Sequence, residues 1–143
     1  MQVPLTKNQE RATKHAVAFI LMSIKRFEDI EAWSVARKLT QEVYLAVKSD
    51  KFSRDWGLKD QITRASGSVM HNIAEGFNSG SKKDFARFLS YAQRSCTEVQ
   101  SQLYVALDQQ YIDSNSFEHI YELADHAKLK IGGFIRYLKS AEK

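Results

Sequence analysis

The sequence predicts an all-α protein, an antiparallel up-down-up-down four-helix bundle, and three observations carry that expectation. Apolar residues recur at steps of three and four over most of the chain, the period of a helix with one buried face. Gly and Pro together number seven in 143 residues, too few for the many tight turns of a sandwich or barrel. The breaks between periodic segments are short, and short connections make consecutive helices antiparallel neighbours. An apolar content of 43% with 27% charged residues suits one soluble domain with a real core, and it argues against a disordered, fibrous or membrane-spanning chain.

At the N-terminus Lys7, Arg11 and Lys14 precede the apolar run Ala16–Met22, which imitates a signal peptide. The run stops at Ser23-Ile24-Lys25-Arg26, offers no small-residue cleavage site, and is too short to span a bilayer. Met22 opens a segment that reads like a natural start, so residues 1–21 are expected to be an N-terminal extension, either flexible or a loosely attached amphipathic arm. The bundle domain is then 22–143. One cysteine, Cys96, makes neither an intramolecular disulfide nor a zinc cluster, which suits a reducing, cytoplasmic setting.

The first bundle helix is read over 29–48, with Phe27, Ile30, Trp33, Ala36, Leu39, Val43 and Val47 on one face and Asp29 or Glu28 favouring its N-terminal dipole. The second is read over 54–75, with Leu58, Ile62, Ala65, Val69 and Ile73 inward and Gly76 ending it. The third starts at Ser81, a cap, with Asp84 in its first turn, and continues through Phe85, Phe88, Leu89, Ala92, Cys96, Val99, Leu103, Ala106 and Leu107 to about residue 110. Asp113-Ser114-Asn115-Ser116 caps the fourth, whose inward face is Phe117, Ile120, Tyr121, Ala124, Ala127, Ile131, Phe134, Ile135 and Leu138. Gly132-Gly133 either kinks that helix or permits a close helix contact.

The second helix also carries a polar line, Gln61, Arg64, Ser68, Asn72 and Glu75, and the third answers it with Ser95, Glu98 and Gln102. Such lines are either a solvated face with ordinary intrahelical pairs, or groups that pair within or between subunits and so fix helix register.

The run Asp60-Gln61-Ile62-Thr63-Arg64-Ala65-Ser66, followed by Ser68-Val69-Met70-His71-Asn72-Ile73-Ala74-Glu75-Gly76-Phe77, resembles the signature of the proteins encoded in 23S ribosomal RNA intervening sequences. Arg26-Phe27-Glu28-Asp29-Ile30 with Trp33, Phe85-x-x-Phe88-Leu89 with Ala92, Ser95 and Glu98, and Tyr111-Ile112 agree with it, so the resemblance covers about residues 22–140. The extension 1–21 lies outside the pattern, and Arg94 stands where the family pattern has Gly. The resemblance implies a small bacterial four-helix-bundle protein of the cytoplasm, a ring-shaped homo-oligomer, as a pentamer. It further implies an adaptor that binds RNA or another nucleic acid, because relatives accompany the reverse transcriptase of diversity-generating retroelements. A protein-only scaffold that recruits such an enzyme is the alternative.

Charge bears on that choice. The formal net charge is +4, and residues 48–94 hold nine basic side chains against five acidic ones, whereas 95–143 hold five against seven. The basic candidates for nucleic acid are Lys51, Arg54, Lys59, Lys82, Lys83, Arg87 and Arg94. Repeated around a ring they make a continuous basic surface; the bland alternative is scattered solubilising charge. Phe52, Trp56 and Phe77 lie among them and are expected in the core, although aromatic rings also stack on unpaired bases. The candidates for the polar network or oligomer contact are Gln61, Arg64, Ser68, Asn72, Glu75, Glu98 and Gln102.

Enzyme chemistry finds little purchase. Arg64 and His71, two turns apart, are the only pair that suits a metal-independent ribonuclease, and a general base needs a positioned partner as well. His119, Glu122 and His126 share a helix face, but the Glu-x-x-His pairs of a di-iron bundle are missing. No glycine-rich loop cradles phosphate, and Cys96 falls in an apolar stripe, as a buried inert thiol does. The expectation is a non-enzymatic protein without metal, cofactor or membrane partner.

Overall fold

The structure, a computed structural model, describes residues 3–140, with the side chains of 16–22 left aside; the apolar run 16–22 and the last three residues of the chain therefore lie outside the described residues. The helices are α1 (Lys7–Ser23), α2 (Glu31–Ala46), α3 (Asp50–Arg54), α4 (Trp56–Phe77), α5 (Lys82–Asp108) and α6 (Ser114–Ser140), with a 3-10 turn at Phe27–Asp29. Among the described residues there is no strand. No helix among them is long and apolar enough to cross a membrane.

Each boundary has a local cause. Ser81 Oγ accepts from the Asp84 amide at 3.1 Å and starts α5. Asp113 Oδ1 accepts from the Ser116 amide at 2.8 Å and starts α6, and that backbone hydrogen bond holds the Asp113 carboxyl below its usual range. The helix expected over 54–75 runs over Trp56–Phe77, and a short helix not read from the sequence, α3, precedes it: Asp55 leaves the helical region, its carboxylate accepts from the Leu58 amide at 3.1 Å, and it thereby caps α4 just after α3 ends. α5 ends with Gln110 at φ 60°, where the Gln110 amide donates to Leu107 O and the Tyr111 amide to Ala106 O. This paired closure usually takes glycine at the left-handed position.

Four helices pack in a closed cycle: α4 on α5, α5 on α6, and α2 on both α4 and α6. Cross-helix contacts in three of these pairs run in opposite chain directions. On α4 and α5, Ser68 meets Ser95 while Gly76, further along, meets Phe88, further back. Gln100 reaches Tyr121 and Asp125 on α6, and Phe85 packs on Phe134 at 5.2 Å. Glu31 pairs with Lys130 at 3.2 Å and Glu42 faces His119 at 3.8 Å.

Every stripe residue read from the sequence is buried or packs against the core except Phe88, which is half-buried at the α4–α5 contact. Ile112 and Phe52 join them, with Phe52 stacked on Tyr111 at 5.2 Å. α6 is continuous through Gly132-Gly133, so they do not end it; a Cβ on Gly132 would lie 2.9 Å from Gln93 Nε2, the movable end of a side chain, and one on Gly133 would meet Arg136 Nη2 at 3.8 Å.

At Gly76 α4 lies close against α5. A Cβ there would sit 2.8 Å from Phe88 Cβ and 2.9 Å from Phe85 Cδ1. Phe88 Cβ is fixed to the α5 backbone, so the strain cannot be relieved by a rotamer change. Gly76→Ala gains up to about 1 kcal/mol of helix propensity and meets an overpacking cost of about 1–3 kcal/mol. The expected net is a loss, read as a lower urea midpoint; a midpoint at or above that of the parent chain rejects this account of the contact.

Candidate functional site

The polar line of α4 is only partly gathered. Asn72 Nδ2 donates to the Ser68 carbonyl at 2.8 Å and to Ser68 Oγ at 2.9 Å, and Ser95 Oγ on α5 donates to Ser68 Oγ at 2.9 Å. These three half-buried or buried groups form a bridge between the helices. The Ser68–Ser95 pairing sets α5 levels against α4: Gln102 comes level with Gln61, and Glu98 with Arg64. Yet Arg64 is exposed and its Nε donates to Asp60 at 3.0 Å, while Gln61, Glu75 and Glu98 are exposed as well. Gln102 is half-buried, and its Oε1 is a buried acceptor with no hydrogen-bond donor among the described residues. An orphaned amide oxygen of this kind costs on the order of 1–3 kcal/mol.

The basic candidates separate into two groups: one at the start of α4, the other on α5, running from beyond the end of α4, roughly 30 Å away at 1.5 Å per residue, back to Arg94 beside Ser95, level with Ser68 in the middle of α4. Lys51, Arg54 and Lys59 surround the α3–α4 junction, where Arg54 pairs with Asp50 at 2.6 Å and Lys59 Nζ lies 5.3 Å over the Trp56 ring. Lys82, Lys83, Arg87 and Arg94 occupy the first half of α5, all exposed. Between 82 and 94 the one carboxylate is Asp84, which meets Arg87 at 3.4 Å. Arg94, the departure from the family pattern, lies 5.7 Å over the Tyr91 ring.

Of the three interleaved aromatics, Phe52 is fully buried and Phe77 packs against the core. Trp56 corrects the expectation of a core role. It is 76% exposed, because Phe52 from α3 and Leu58 from α4 already fill the interior on either side of the Asp55 break.

The residues weighed for catalysis or metal stand apart. Arg64 and His71 are both exposed on α4, and the His71 ring lies along the backbone at Gly67. His119 faces Glu42 across the α2–α6 contact. Among the described residues no group of three His, Cys, Asp or Glu side chains is placed to hold a metal ion. Cys96 is buried, and its thiol is pushed up to about 12, first by desolvation and then by the Asp125 charge, against the opposing pull of Lys128.

A second polar bridge was not read from the sequence. Gln100, 5% exposed, donates through Nε2 to Asp125 Oδ1 at 2.9 Å and accepts at Oε1 from Lys128 Nζ at 2.9 Å. Gln93 donates to the Lys128 carbonyl at 3.3 Å. The available signal was a glutamine between Cys96 and Leu103 in an otherwise apolar stripe. Beside this bridge is a small cleft of about 220 Å³ between α5 and α6, and a wider groove of about 670 Å³ runs between α1 and the adjoining parts of α2 and α6. None of the network or basic candidates lines either one.

Two measurements check this geometry. Asn72→Ala removes both donors to Ser68 and is expected to cost about 1 kcal/mol of stability; an unchanged melt means that the bridge holds nothing. For Cys96, the folded state keeps its proton more tightly than the unfolded chain, whose ordinary value is 9.0. Its contribution to stability is whole below pH 9 and is lost as pH rises from 9 towards about 12. Accordingly the native thiol should resist a disulfide reagent at pH 8 and react at once in denaturant, whereas fast native labelling contradicts its burial.

A protein-family model described as 23S rRNA-intervening sequence protein matches residues 28–133. That stretch spans the whole of α2–α5 and most of α6, hence both polar bridges and all seven basic candidates. Among curated proteins, none matches the chain.

Proposed function

The chain belongs to the 23S rRNA-intervening sequence protein family, and we propose that it is a non-enzymatic, nucleic-acid-binding adaptor whose ligand is RNA. In this reading its up-down-up-down bundles assemble as a ring-shaped homo-oligomer. One observation carries the RNA part. Lys82 and Lys83 open α5 at the positive end of its dipole, where cations weaken a helix and anions strengthen it. Arg87 and Arg94 continue the same exposed stretch with Asp84 as its single acidic group. Helix stability does not favour this arrangement, whereas a phosphate backbone does.

The opposed contact orders of the helix pairs support the up-down arrangement. The oligomer is supported by the outer α4–α5 seam, where the acceptor of Gln102 lacks a donor and Gln61, Arg64 and Glu98 have side chains to offer a neighbouring subunit.

The test is the salt dependence of binding to a structured 23S ribosomal RNA fragment, with the mass of the free protein measured by light scattering in the same buffer. Affinity should fall steeply with salt, and Lys82→Glu/Lys83→Glu should lower it at least about tenfold, since each lost phosphate contact also flattens the salt slope. A well-formed oligomer that binds no RNA at low salt overturns the reading and favours a scaffold that recruits a partner enzyme.

A further inference from the structure

Four side chains in the first half of α5 make one continuous series of contacts. Arg87 Cζ lies 5.3 Å from the centre of the Phe88 ring, Phe88 meets Tyr91 edge-on at 6.1 Å, and Arg94 Cζ lies 5.7 Å over Tyr91. Arg87, Tyr91 and Arg94 follow at steps of four and three, so they share one side of the helix. All three are exposed, Tyr91 by 38%, while Phe88 is half-buried and anchors the series against α4 at Gly76.

Arg94 forms no ion pair with a carboxylate among the described residues; its guanidinium lies over the Tyr91 ring. Arg87 meets Asp84 at 3.4 Å, an exposed contact worth little. Cation–ring contacts at exposed sites are also weak, about 0.5–1 kcal/mol. The series therefore does little for the fold. What it does is hold two planar guanidinium groups and a phenol ring in place at the surface, with Lys82 and Lys83 one turn before them.

Planar cations and rings have a use on a single strand that they lack on a duplex. Unpaired bases stack on aromatic rings and on guanidinium planes, whereas duplex bases have their faces covered and leave only phosphates to meet. We infer that the ladder Arg87–Phe88–Tyr91–Arg94 takes unpaired nucleotides of RNA. Bases stack on Tyr91 and Arg94, and Arg87, Lys82 and Lys83 neutralise the adjoining phosphates. This rests on the proposed RNA reading and narrows its ligand from RNA in general to single-stranded segments.

The experiment compares the full chain on a labelled single-stranded RNA dodecamer and on an RNA duplex of the same length, by fluorescence anisotropy, with Arg94→Lys and Tyr91→Leu alongside. Arg94→Lys keeps the charge and loses the plane; being exposed, it reports even where Tyr91→Leu fails to fold. Both variants should weaken single-strand binding at least about fivefold and leave duplex binding and oligomer mass unchanged. Single-strand and duplex affinities that are alike in the parent chain and unmoved by the variants overturn the ladder while the RNA reading stands. A parent chain that binds neither probe overturns both. Variants that shift the mass without shifting single-strand affinity make this face a subunit contact and overturn the ladder as well.

Discussion

The closeness of α4 to α5 at Gly76 governs the other contacts of the bundle. With Phe88 Cβ only 2.8 Å from where a side chain would begin, α4 admits no side chain at this level. Close approach at one level fixes the register at every other level, because both helices are rigid rods rising about 1.5 Å per residue. Two turns back along α4, that register brings Ser68 and Ser95 to 2.9 Å, and the Asn72 amide completes the bridge. Small residues extend the principle to α2, where Thr40 Oγ1 donates to the Ser66 carbonyl at 3.0 Å across the α2–α4 contact.

The two polar bridges differ in what they ask of the fold. Gln100, Asp125 and Lys128 lie between α5 and α6, and the amide of Gln100 is satisfied at both ends. A satisfied buried amide specifies one pairing of helices at little net cost, because a shifted register would strand a donor and an acceptor together. The α4–α5 bridge, by contrast, is half-buried and continues outward into exposed polar groups. One face of the bundle is closed by its own hydrogen bonds, and the other is left with the Gln102 acceptor unmatched.

Much of this was legible in the sequence because periodicity encodes burial directly: the stripes from Ile30 to Val47, Leu58 to Ile73, Phe85 to Ala106 and Ile120 to Leu138 face the core. Ser81 and Asp113 announced their helices because capping chemistry is local. The short α3 and the start of α4 at Asp55 were not read since Arg54 and Trp56 both suit a helix, and only the Asp55 side chain, which accepts from Leu58 and from the Tyr111 hydroxyl at 3.0 Å, separates one helix from the next. Trp56 was misplaced for the same reason. Hydrophobicity ranks a tryptophan for the core, but its position just after that break decides which way it faces. Of the candidate site, spacing along α4 did mark Ser68 and Asn72. It could not separate them from Arg64 and Glu75 on the same line, because partners on another helix depend on register, which spacing along one helix does not carry.

The half of α5 next to Gly76 carries both a close helix contact and four cations with one carboxylate, and the two are linked. Phe88 reaches the surface ladder through its contact with Tyr91 and reaches α4 at Gly76. A ring immobilised at its base presents its neighbours in fixed positions, which lowers the entropy lost when a ligand stacks on them. Arg94 lies over Tyr91 and Arg87 over Phe88, and of the two rings Phe88 is the one wedged against α4. At the far end, Lys59 lies over a Trp56 that is 76% exposed and follows the bend at Asp55. The charge at the two ends of α4 is similar in kind. Only the end beside Gly76 carries a ring wedged between its cations and the neighbouring helix, and for that reason the RNA surface is proposed there.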